Sequence, residues 1–154
     1  MERILVVVDE SEAHERLLAE AGEIAVGTGA ELVVFSWMTP DEAESATETI
    51  ESIERVEQTS YSDPGAVDTV EQFARNFADG VFADLGQSIE YDVEGAITEE
   101  DDRAEAVIDA AERLGCDHVF IVGRKRSPTG KALFGDFAQR VLLNFEGTVT
   151  IKME

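Results

Sequence analysis

The sequence predicts an α/β fold in which a five-stranded, mostly parallel sheet lies between two helical layers, a three-layer α/β/α sandwich. Strand and helix patterns alternate along the chain, an order that requires right-handed crossovers and places helices on both sheet faces. The run from Arg3 to Val8 is almost continuously apolar, as expected of a parallel strand buried on both faces. A length of 154 residues suits one domain, residues 1–154, with a single core.

The individual elements follow from local patterns. Each helix is predicted from apolar residues that recur every three or four positions and so share the face expected to pack on the core, such as Ile24 in the first helix and Phe73 and Phe77 in the second. The first three helices end at a glycine. The strands are predicted from apolar runs or from alternation of polar and apolar residues. In chain order, the predicted segments are a strand at 3–8, a helix at 11–26, a strand at 31–36, an irregular acidic insertion at 41–65, a helix at 67–85, a strand at 88–93, a helix at 104–114, a strand at 118–122, a helix at 133–143 and a strand at 148–152.

Two of these segments carry further detail. Ser11 is predicted to cap the first helix, with His14 in the position where a capping box would have an acidic residue. The acidic insertion is either a partial helix, which the spacing of its few apolar residues favours, or a mobile connection. The tripeptide 63–65, Asp-Pro-Gly, is predicted to end the insertion as a turn.

The charge balance is strongly acidic, with a formal net charge of −22 from 34 acidic and 12 basic residues. Regular apolar periodicity argues against disorder, and the shortage of Lys and Arg argues against nucleic-acid binding. We interpret the composition as adaptation to very high salt, since molar salt shortens the Debye length to about 3 Å and screens repulsion between carboxylates. An ordinary acidic protein is the alternative.

Other features of the composition exclude several classes of protein. No apolar run is long enough to span a membrane, and the start of the chain lacks the features of a secretory signal, so we expect a cytoplasmic protein. The single Cys116 is expected to be buried, and it permits neither an intramolecular disulfide nor a thiolate metal cluster. His14 is expected on an exposed helix turn and His118 at the start of a strand, and neither is assigned to metal binding or catalysis. The sequence also suggests no catalytic Ser/His/Asp or Cys/His set, because nothing indicates that the fold would bring one together.

The segment 123–136 is the main indication of function. It follows an apolar strand, is punctuated by glycines and leads into a helix, so backbone N–H groups and the helix dipole together form a possible anion site. Four of the 12 basic residues lie between Arg124 and Lys131, against the acidic trend of the chain. A solvated loop that forms salt bridges to the acidic surface is the alternative interpretation.

Two familiar phosphate-binding motifs are excluded. In a Walker A loop, the dipeptide Gly130-Lys131 would be followed by Ser or Thr, but Ala132 follows, and Lys125 stands where the first glycine should be. A dinucleotide fingerprint would place glycines directly after the first strand, where Asp9 and the next three residues contain none.

The chain resembles the universal stress protein family over nearly its whole length. The similar features are the Val-Val-Val-Asp start, the order of helices and strands, Gly95 after the third strand, Gly123 after the fourth, and the terminal strand. The resemblance implies a Rossmann-like fold and, in nucleotide-binding members, the motif G-x2-G-x9-G-[ST], which holds phosphates. Gly123 and Gly135 match its first and third glycines, whereas Arg126 replaces the second and Asp136 replaces the closing hydroxyl residue.

The resemblance implies an adenine-nucleotide site for ATP or AMP, with Mg²⁺ accompanying ATP. Asp9 corresponds to the aspartate near the ribose and base, although N-terminal capping of the first helix is an equal alternative. Ser36 and Trp37 occupy the place that borders adenine, and Trp37 is alternatively half-buried packing. The phosphates would be held by residues of the segment 123–136. These residues are Gly123, Arg124, Arg126, Ser127, Gly130, Lys131, Gly135 and Asp136.

Asp136 supports the rival interpretation. A carboxylate close to a phosphate weakens binding unless a cation intervenes, and near a helix start it can itself accept backbone N–H bonds. The rival class is therefore a nucleotide-independent interaction protein with a degenerate phosphate site; slow ATP hydrolysis is a third, weaker possibility. The resemblance also implies a homodimer that pairs through the strand 148–152.

Overall fold

The computed structural model describes residues 1–45, 63–124 and 135–154. As predicted, these residues form an α/β fold with a five-stranded sheet, in which every described strand pair is parallel. In chain order the elements are β1 (Arg3–Val7), α1 (Glu12–Thr28), β2 (Glu31–Met38), α2 (Asp63–Leu85), β3 (Asp92–Ile97), a 3-10 turn (Glu100–Asp102), α3 (Arg103–Arg113), β4 (His118–Gly123), α4 (Gly135–Asn144) and β5 (Thr148–Met153).

The strand order across the sheet is β3-β2-β1-β4-β5, with β1 in the centre. Residues 4–7 of β1 are almost completely buried because helices cover both faces of the sheet. One face packs against α1 and α2 through residues such as Leu17 and Phe82. The other face packs against α3 and α4 through residues such as Val107 and Val141.

The ends of α1 follow the predicted chemistry. Ser11 is its N-cap, since the Ser11 hydroxyl accepts a hydrogen bond from the backbone N–H of His14 at 3.2 Å. The helix ends at Gly29, whose φ of 75° is left-handed and suits glycine. It extends beyond the predicted region, through Gly27, and Ile24, which was predicted to face the core, is 36% exposed.

The acidic insertion begins as a helix, as favoured, over residues 40–45. A reciprocal capping box starts it: the Thr39 hydroxyl accepts from the N–H of Glu42 at 3.1 Å, and the Glu42 carboxylate accepts from the N–H of Thr39 at 3.0 Å. Residues 46–62, including the apolar residues on which the helix prediction depended, lie outside the described residues.

Two predicted boundaries are wrong. The tripeptide 63–65 begins α2 rather than forming a turn, because proline is compatible with the first turn of a helix. The third strand spans 92–97 rather than 88–93, and therefore includes Gly95, which was placed after it. A Cβ at Gly95 would lie 3.1 Å from the Val70 Cβ, so this glycine allows α2 to pack closely on β3.

The side of α2 that is buried most deeply also differs from the prediction. Large apolar residues were expected to face the core, but Ala74 and Ala78 are completely buried, together with Val70. Phe73 and Phe77 pack at the margin of the same cluster and are only partly buried. Small residues lie against the sheet because the helix approaches it closely. No helix in the described parts of the chain is long and apolar enough to cross a membrane.

Candidate functional site

An open crevice of about 530 Å³ lies above the carboxyl ends of β1 and β4. From these two adjacent strands the sheet continues in opposite directions. β2 and β3 lie on the side of β1 away from β4, and β5 lies on the side of β4 away from β1. Parallel sheets of this kind bind ligands where the strand order reverses. The topology therefore forms the crevice, and the loops that follow the strands supply its polar groups.

The charges that line the crevice are mixed, with acidic groups in excess among the described residues. Five lining residues carry carboxylates and two carry guanidinium groups, and one histidine lies with them. These residues are Asp9, Glu10, Glu100, Asp136, Glu154, Arg103, Arg124 and His14. An anionic ligand would be opposed by this balance unless it contacts the two arginines or brings a cation with it.

Arg103 is the best-fixed cation in the crevice, and sequence analysis did not select it. Its guanidinium carbon lies 5.6 Å from the centre of the Trp37 ring and 4.6 Å from the centre of the Phe137 ring. A 3.5 Å ion pair with Glu100, three residues earlier, adds a third contact. Arg103 thus joins the end of β2 to the starts of α3 and α4. Its position directly after the polar loop that follows β3 was the available sequence signal.

Arg124, which sequence analysis did select, lies at the edge of the crevice. Its side chain is 82% exposed, and its Nε lies 4.0 Å from Oε1 of Glu154 at the chain end. A pair this exposed contributes little to stability, so Arg124 can turn to another anion at small cost.

Gly123 has a packing role that the sequence did not reveal. It is the last residue of β4 and is buried, and it does not line the crevice. A Cβ at this position would lie 2.8 Å from Cγ2 of Ile151 and 3.3 Å from Sδ of Met153 on β5. The prediction that Gly123 opens a phosphate site is therefore not supported by its position, since close packing of β5 on β4 explains the glycine.

Gly135 and Asp136, two of the predicted phosphate-site residues, begin α4 and line the crevice. Gly135 has a φ of 81°, and only glycine adopts this conformation without strain. Asp136 lies in the first helical turn, where a carboxylate complements the helix dipole. No hydrogen bond to its carboxylate is found within the described part of the chain, so Asp136 is an exposed anion in the crevice.

Asp9, Ser11 and His14 come together at the end of β1. Oδ1 of Asp9 accepts a 2.7 Å hydrogen bond from the N–H of Glu10, and Oγ of Ser11 lies 2.7 Å from Nδ1 of His14. Ser11, not Asp9, caps α1, which removes the alternative role considered for Asp9.

His14 was expected on an exposed helix turn, but it is half-buried and lines the crevice. Burial lowers the pKa of His14, an effect that the nearby Asp9 partly offsets.

The hydroxyl of Ser11 and the imidazole of His14 are in contact, a Ser/His pair that sequence analysis did not single out. It does not form a catalytic triad, however. The Ser11 hydroxyl is held by the backbone N–H of His14, and no hydrogen bond joins Asp9 to His14 among the described residues. The geometry is that of a helix cap with a polar ring beside it.

Trp37 and Ser36 have different positions. Trp37 is half-buried, as the packing alternative expected, and it also lines the crevice beside Arg103. Ser36 is 2% exposed and does not line the crevice. Successive strand residues point to opposite sheet faces, so only one of the two neighbours can face α3.

The remaining predicted site residues, Arg126, Ser127, Gly130 and Lys131, lie outside the described residues. Within residues 1–45, 63–124 and 135–154, no group of three or more His, Cys, Asp or Glu side chains could hold a metal ion.

Two side chains outside the crevice have structural roles. His118 is 6% exposed at the start of β4, and its Nε2 lies 2.7 Å from Oγ1 of Thr150. Cys116 is buried, as predicted, and burial raises the pKa of its thiol to about 11. Neither is positioned for chemistry in the crevice.

Comparison with known proteins gives one family and a consistent fold. The chain is similar to a universal stress protein structure from Archaeoglobus fulgidus, with 23% identity over 98% of both chains and a TM-score of 0.61. A second structure from this organism, in complex with dAMP, has 19% identity, covers 98% of this chain and 97% of its own, and has a TM-score of 0.56. A universal stress protein in complex with cAMP has 16% identity over 97% of this chain and 94% of its own, with a TM-score of 0.59.

Comparison of the sequence alone identifies a family but no individual curated relative. No curated protein is significantly similar to this sequence. The universal stress protein family, however, matches residues 1–151, almost the full length of 154 residues. With the parallel sheet, the crevice at the reversal of strand order and the structural similarity, this match establishes that the chain belongs to the universal stress protein family.

Proposed function

We propose that the crevice above β1 and β4 binds an adenine nucleotide, ATP or AMP, and that the protein acts as a stress-responsive switch. The observation that carries the proposal is the convergence of Asp9, Arg103 and Arg124, from three separate segments, at the point where the strand order reverses. The dAMP and cAMP complexes of similar folds support an adenine ligand.

Asp9 is suited to the ribose. Its Oδ1 is occupied by the N–H of Glu10, while no hydrogen bond to Oδ2 is found among the described residues. That oxygen can accept a hydrogen bond from a ribose hydroxyl without disturbing the turn into α1. The base would then lie toward Trp37 and Arg103, where an aromatic ring and a planar guanidinium offer stacking surfaces.

The phosphates would extend toward Arg124 and the start of α4. Arg124 can leave its weak pair with Glu154, and the helix start supplies a favourable dipole. Arg126, Ser127, Gly130 and Lys131 are proposed to complete this part of the site. Because carboxylates outnumber arginines along the described lining, AMP should bind without a metal, whereas ATP should bind as its magnesium complex.

Calorimetric titration in molar KCl tests the proposal, with AMP and with ATP plus magnesium, after the purified protein has been examined for bound nucleotide. Saturable micromolar binding, or nucleotide carried through purification, is the expected result. Arg126→Glu should then abolish binding of the charged ligands, because it replaces a proposed phosphate contact with a repelling charge. Absence of both heat and bound nucleotide would contradict the proposal.

A nucleotide-independent interaction protein is the second candidate, favoured by one observation. Asp136 places an exposed carboxylate where a phosphate would lie, and no hydrogen bond within the described residues neutralises it. Asp136→Ser, which restores the hydroxyl residue of the family motif, distinguishes the two. A large gain in ATP affinity would indicate a degenerate native site, whereas a change of only a few fold would indicate a site that tolerates Asp136.

Three further proposals concern the setting in which this switch works. The edge strand β5 is proposed to pair with its copy in a homodimer, and a monomeric mass by light scattering at high salt would contradict that.

The net charge of −22 is proposed to reflect a high-salt environment, so stability should rise as the KCl concentration increases from dilute buffer to the molar range. The protein is proposed to work in the cytoplasm, where it would meet adenine nucleotides.

A further inference from the structure

His14 differs from the other residues of the crevice because it can gain a charge near neutral pH. It is half-buried on the first turn of α1 and lines the crevice together with Asp9 and Arg124. Its Nδ1 lies 2.7 Å from the Ser11 hydroxyl. No partner of Nε2 is found in the described parts of the chain, so this nitrogen is available to a ligand.

We propose that His14 is a phosphate-binding residue of this crevice, which takes up a proton when the phosphate of an adenine nucleotide binds. This inference rests on the proposed function and adds a residue and a proton to it. The ligand oxygen would accept a hydrogen bond from Nε2–H, and the positive imidazolium would partly offset the excess of carboxylates along the lining.

Ser11 allows both charge states of the ring. A hydroxyl can donate to Nδ1 of a neutral imidazole, and it can accept from Nδ1–H of an imidazolium. It can do either while it still accepts the backbone N–H of His14, because a hydroxyl oxygen has two lone pairs. Protonation of His14 therefore leaves the cap of α1 intact.

Without a ligand, the surroundings of His14 favour its neutral ring. Burial is the largest cause, since it lowers the pKa of His14; Arg124 and Arg103 act in the same direction. Asp9 and Glu154 favour the charged ring. These four charged groups come from the ends of β1, β4 and β5 and from the start of α3. A bound phosphate would add negative charge and shift the balance toward imidazolium.

The consequence is a reciprocal linkage between proton and nucleotide. If the ligand raises the pKa of His14, lower pH must tighten ligand binding by the same factor. Each unit by which the pKa rises corresponds to about a tenfold gain in affinity between the deprotonated and protonated limits. Affinity should therefore increase as the pH falls through the pKa of the liganded ring, and it should level off below the lowered pKa of the free ring.

The protein has only two histidines, so NMR can follow both imidazoles in the unmodified full chain. We would titrate pH in molar KCl with no ligand, with adenosine and with AMP. AMP should raise the pKa of His14, whereas adenosine, which lacks the phosphate, should leave it unchanged. His118 is an internal control, because it is buried against Thr150 at the opposite end of β4.

Calorimetry with His14→Gln provides the second measurement. Glutamine can still donate a hydrogen bond but cannot gain a charge, so the variant removes only the part of the pH dependence that belongs to His14. The comparison also corrects for the phosphate of AMP, which itself takes up a proton near pH 6. Wild-type binding should tighten several-fold more than the variant's as the pH falls from about 8 to 6.

The possible outcomes separate the two proposals. If AMP binds but the pKa of His14 does not move, or moves equally with adenosine, the role of His14 is overturned and nucleotide binding stands. If neither AMP nor ATP with magnesium binds at any pH, the proposed function itself fails.

Discussion

The two ends of the sheet differ in how their polar groups are used. At the amino end, the Asp117 carboxylate accepts hydrogen bonds from the N–H groups of Glu2 and Arg3 at 3.1 and 3.2 Å. Arg3 in turn pairs with Glu31 and donates to the carbonyl of Leu114 at 2.9 Å. Each of these charges has a close partner within the chain.

At the carboxyl end, Arg103 pairs with Glu100 at 3.5 Å, but two other charged groups have weaker or no partners among the described residues. Arg124 has an ion pair of 4.0 Å, and the carboxylate of Asp136 has no hydrogen bond within that part of the chain. Both ends are rich in charge, so charge density alone does not distinguish them. The two ends differ in the charged groups that lack close partners, and these groups lie on the surface proposed to bind a ligand.

The largest expected effect is on stability and comes from Gly123, a residue at the carboxyl end of the sheet whose role is in packing. Gly123→Ala should lower the free energy of unfolding by about 1–3 kcal/mol, because its Cβ would lie 2.8 Å from Cγ2 of Ile151. Urea unfolding in molar KCl measures this.

Gly80→Ala is the matched control for that substitution. Gly80 lies inside α2, and a Cβ added there would have no neighbouring atom within 4 Å, so alanine should stabilise the fold by about 0.5–1 kcal/mol. Equal stabilities of Gly123→Ala and wild type would show that β5 adjusts to the extra methyl group, contrary to the packing role.

Arg103→Ala should give the next largest effect, and it tests the carboxyl end as a binding surface. We expect AMP affinity to fall about tenfold and stability to fall by about 1 kcal/mol, since two cation–π contacts are lost. Calorimetry gives the affinity, and the fluorescence of Trp37, the single tryptophan, reports the change beside its ring.

Arg16→Ala removes a positive charge from α1 outside the crevice and serves as the control. Arg16 is 63% exposed, and its ion pair with Glu12 is 4.0 Å long. Its loss should leave AMP affinity within about twofold of wild type. Equal losses of affinity in the two variants would mean that net charge, not the position of Arg103, determines binding.

Ser11→Ala should lower the free energy of unfolding by about 1 kcal/mol, because α1 loses its N-cap. Unlike Arg124 and Asp136, Ser11 is a polar group at the carboxyl end of the sheet that has a close hydrogen-bond partner, and this substitution tests its contribution to stability. Ser11→Thr retains the hydroxyl and should recover most of the loss in urea unfolding. If alanine is as stable as serine, the cap contributes nothing and the hydroxyl is retained for the crevice alone.

Asp117→Asn should have the smallest effect, and one that depends on pH. Hydrogen bonds from Arg3 and Glu2 lower the pKa of Asp117 in the folded protein. A carboxylate with a lowered pKa stabilises the fold above its unfolded pKa, about 3.9, and this contribution is lost as the pH falls through the folded value. The difference in thermal midpoint between wild type and Asp117→Asn should therefore be largest near neutral pH and should close in acid. A constant difference would contradict this assignment.

Local chemistry explains what the sequence could predict. The cap that Ser11 provides for α1 and the alternation of helices and strands depend on residues close together in the chain, and these predictions are confirmed. The position of β3 was predicted wrongly because its partner β2 is distant in sequence. The pattern around Ile89 resembles a strand, but Ile89 lies before the start of β3 and packs against the core cluster on the α1 and α2 face.

The position of the candidate site could be predicted from the sequence only in part. The carboxyl ends of the strands predict one crevice that holds Asp9 and Gly123; Asp9 lines the crevice, whereas Gly123 packs against β5 and does not. The stacking of Arg103 on Trp37 and Phe137 joins residues far apart in the chain, and the contact between Gly123 and Ile151 depends on how closely β5 packs. Three-dimensional packing of this kind leaves no local pattern in the sequence.

The central place of β1 has a consequence for synthesis and folding. β1 is translated before β2 and β3, and its partner β4 follows only after both; Glu2 and Asp117, which form hydrogen bonds beside β1 and β4, are 115 positions apart. The half-sheet formed by β1, β2 and β3 can assemble earlier, with one apolar edge of β1 still unpaired. Docking of β4 both covers that edge and creates the crevice. A nucleotide that requires the completed crevice would therefore select fully folded chains and protect them from a return to the half-sheet.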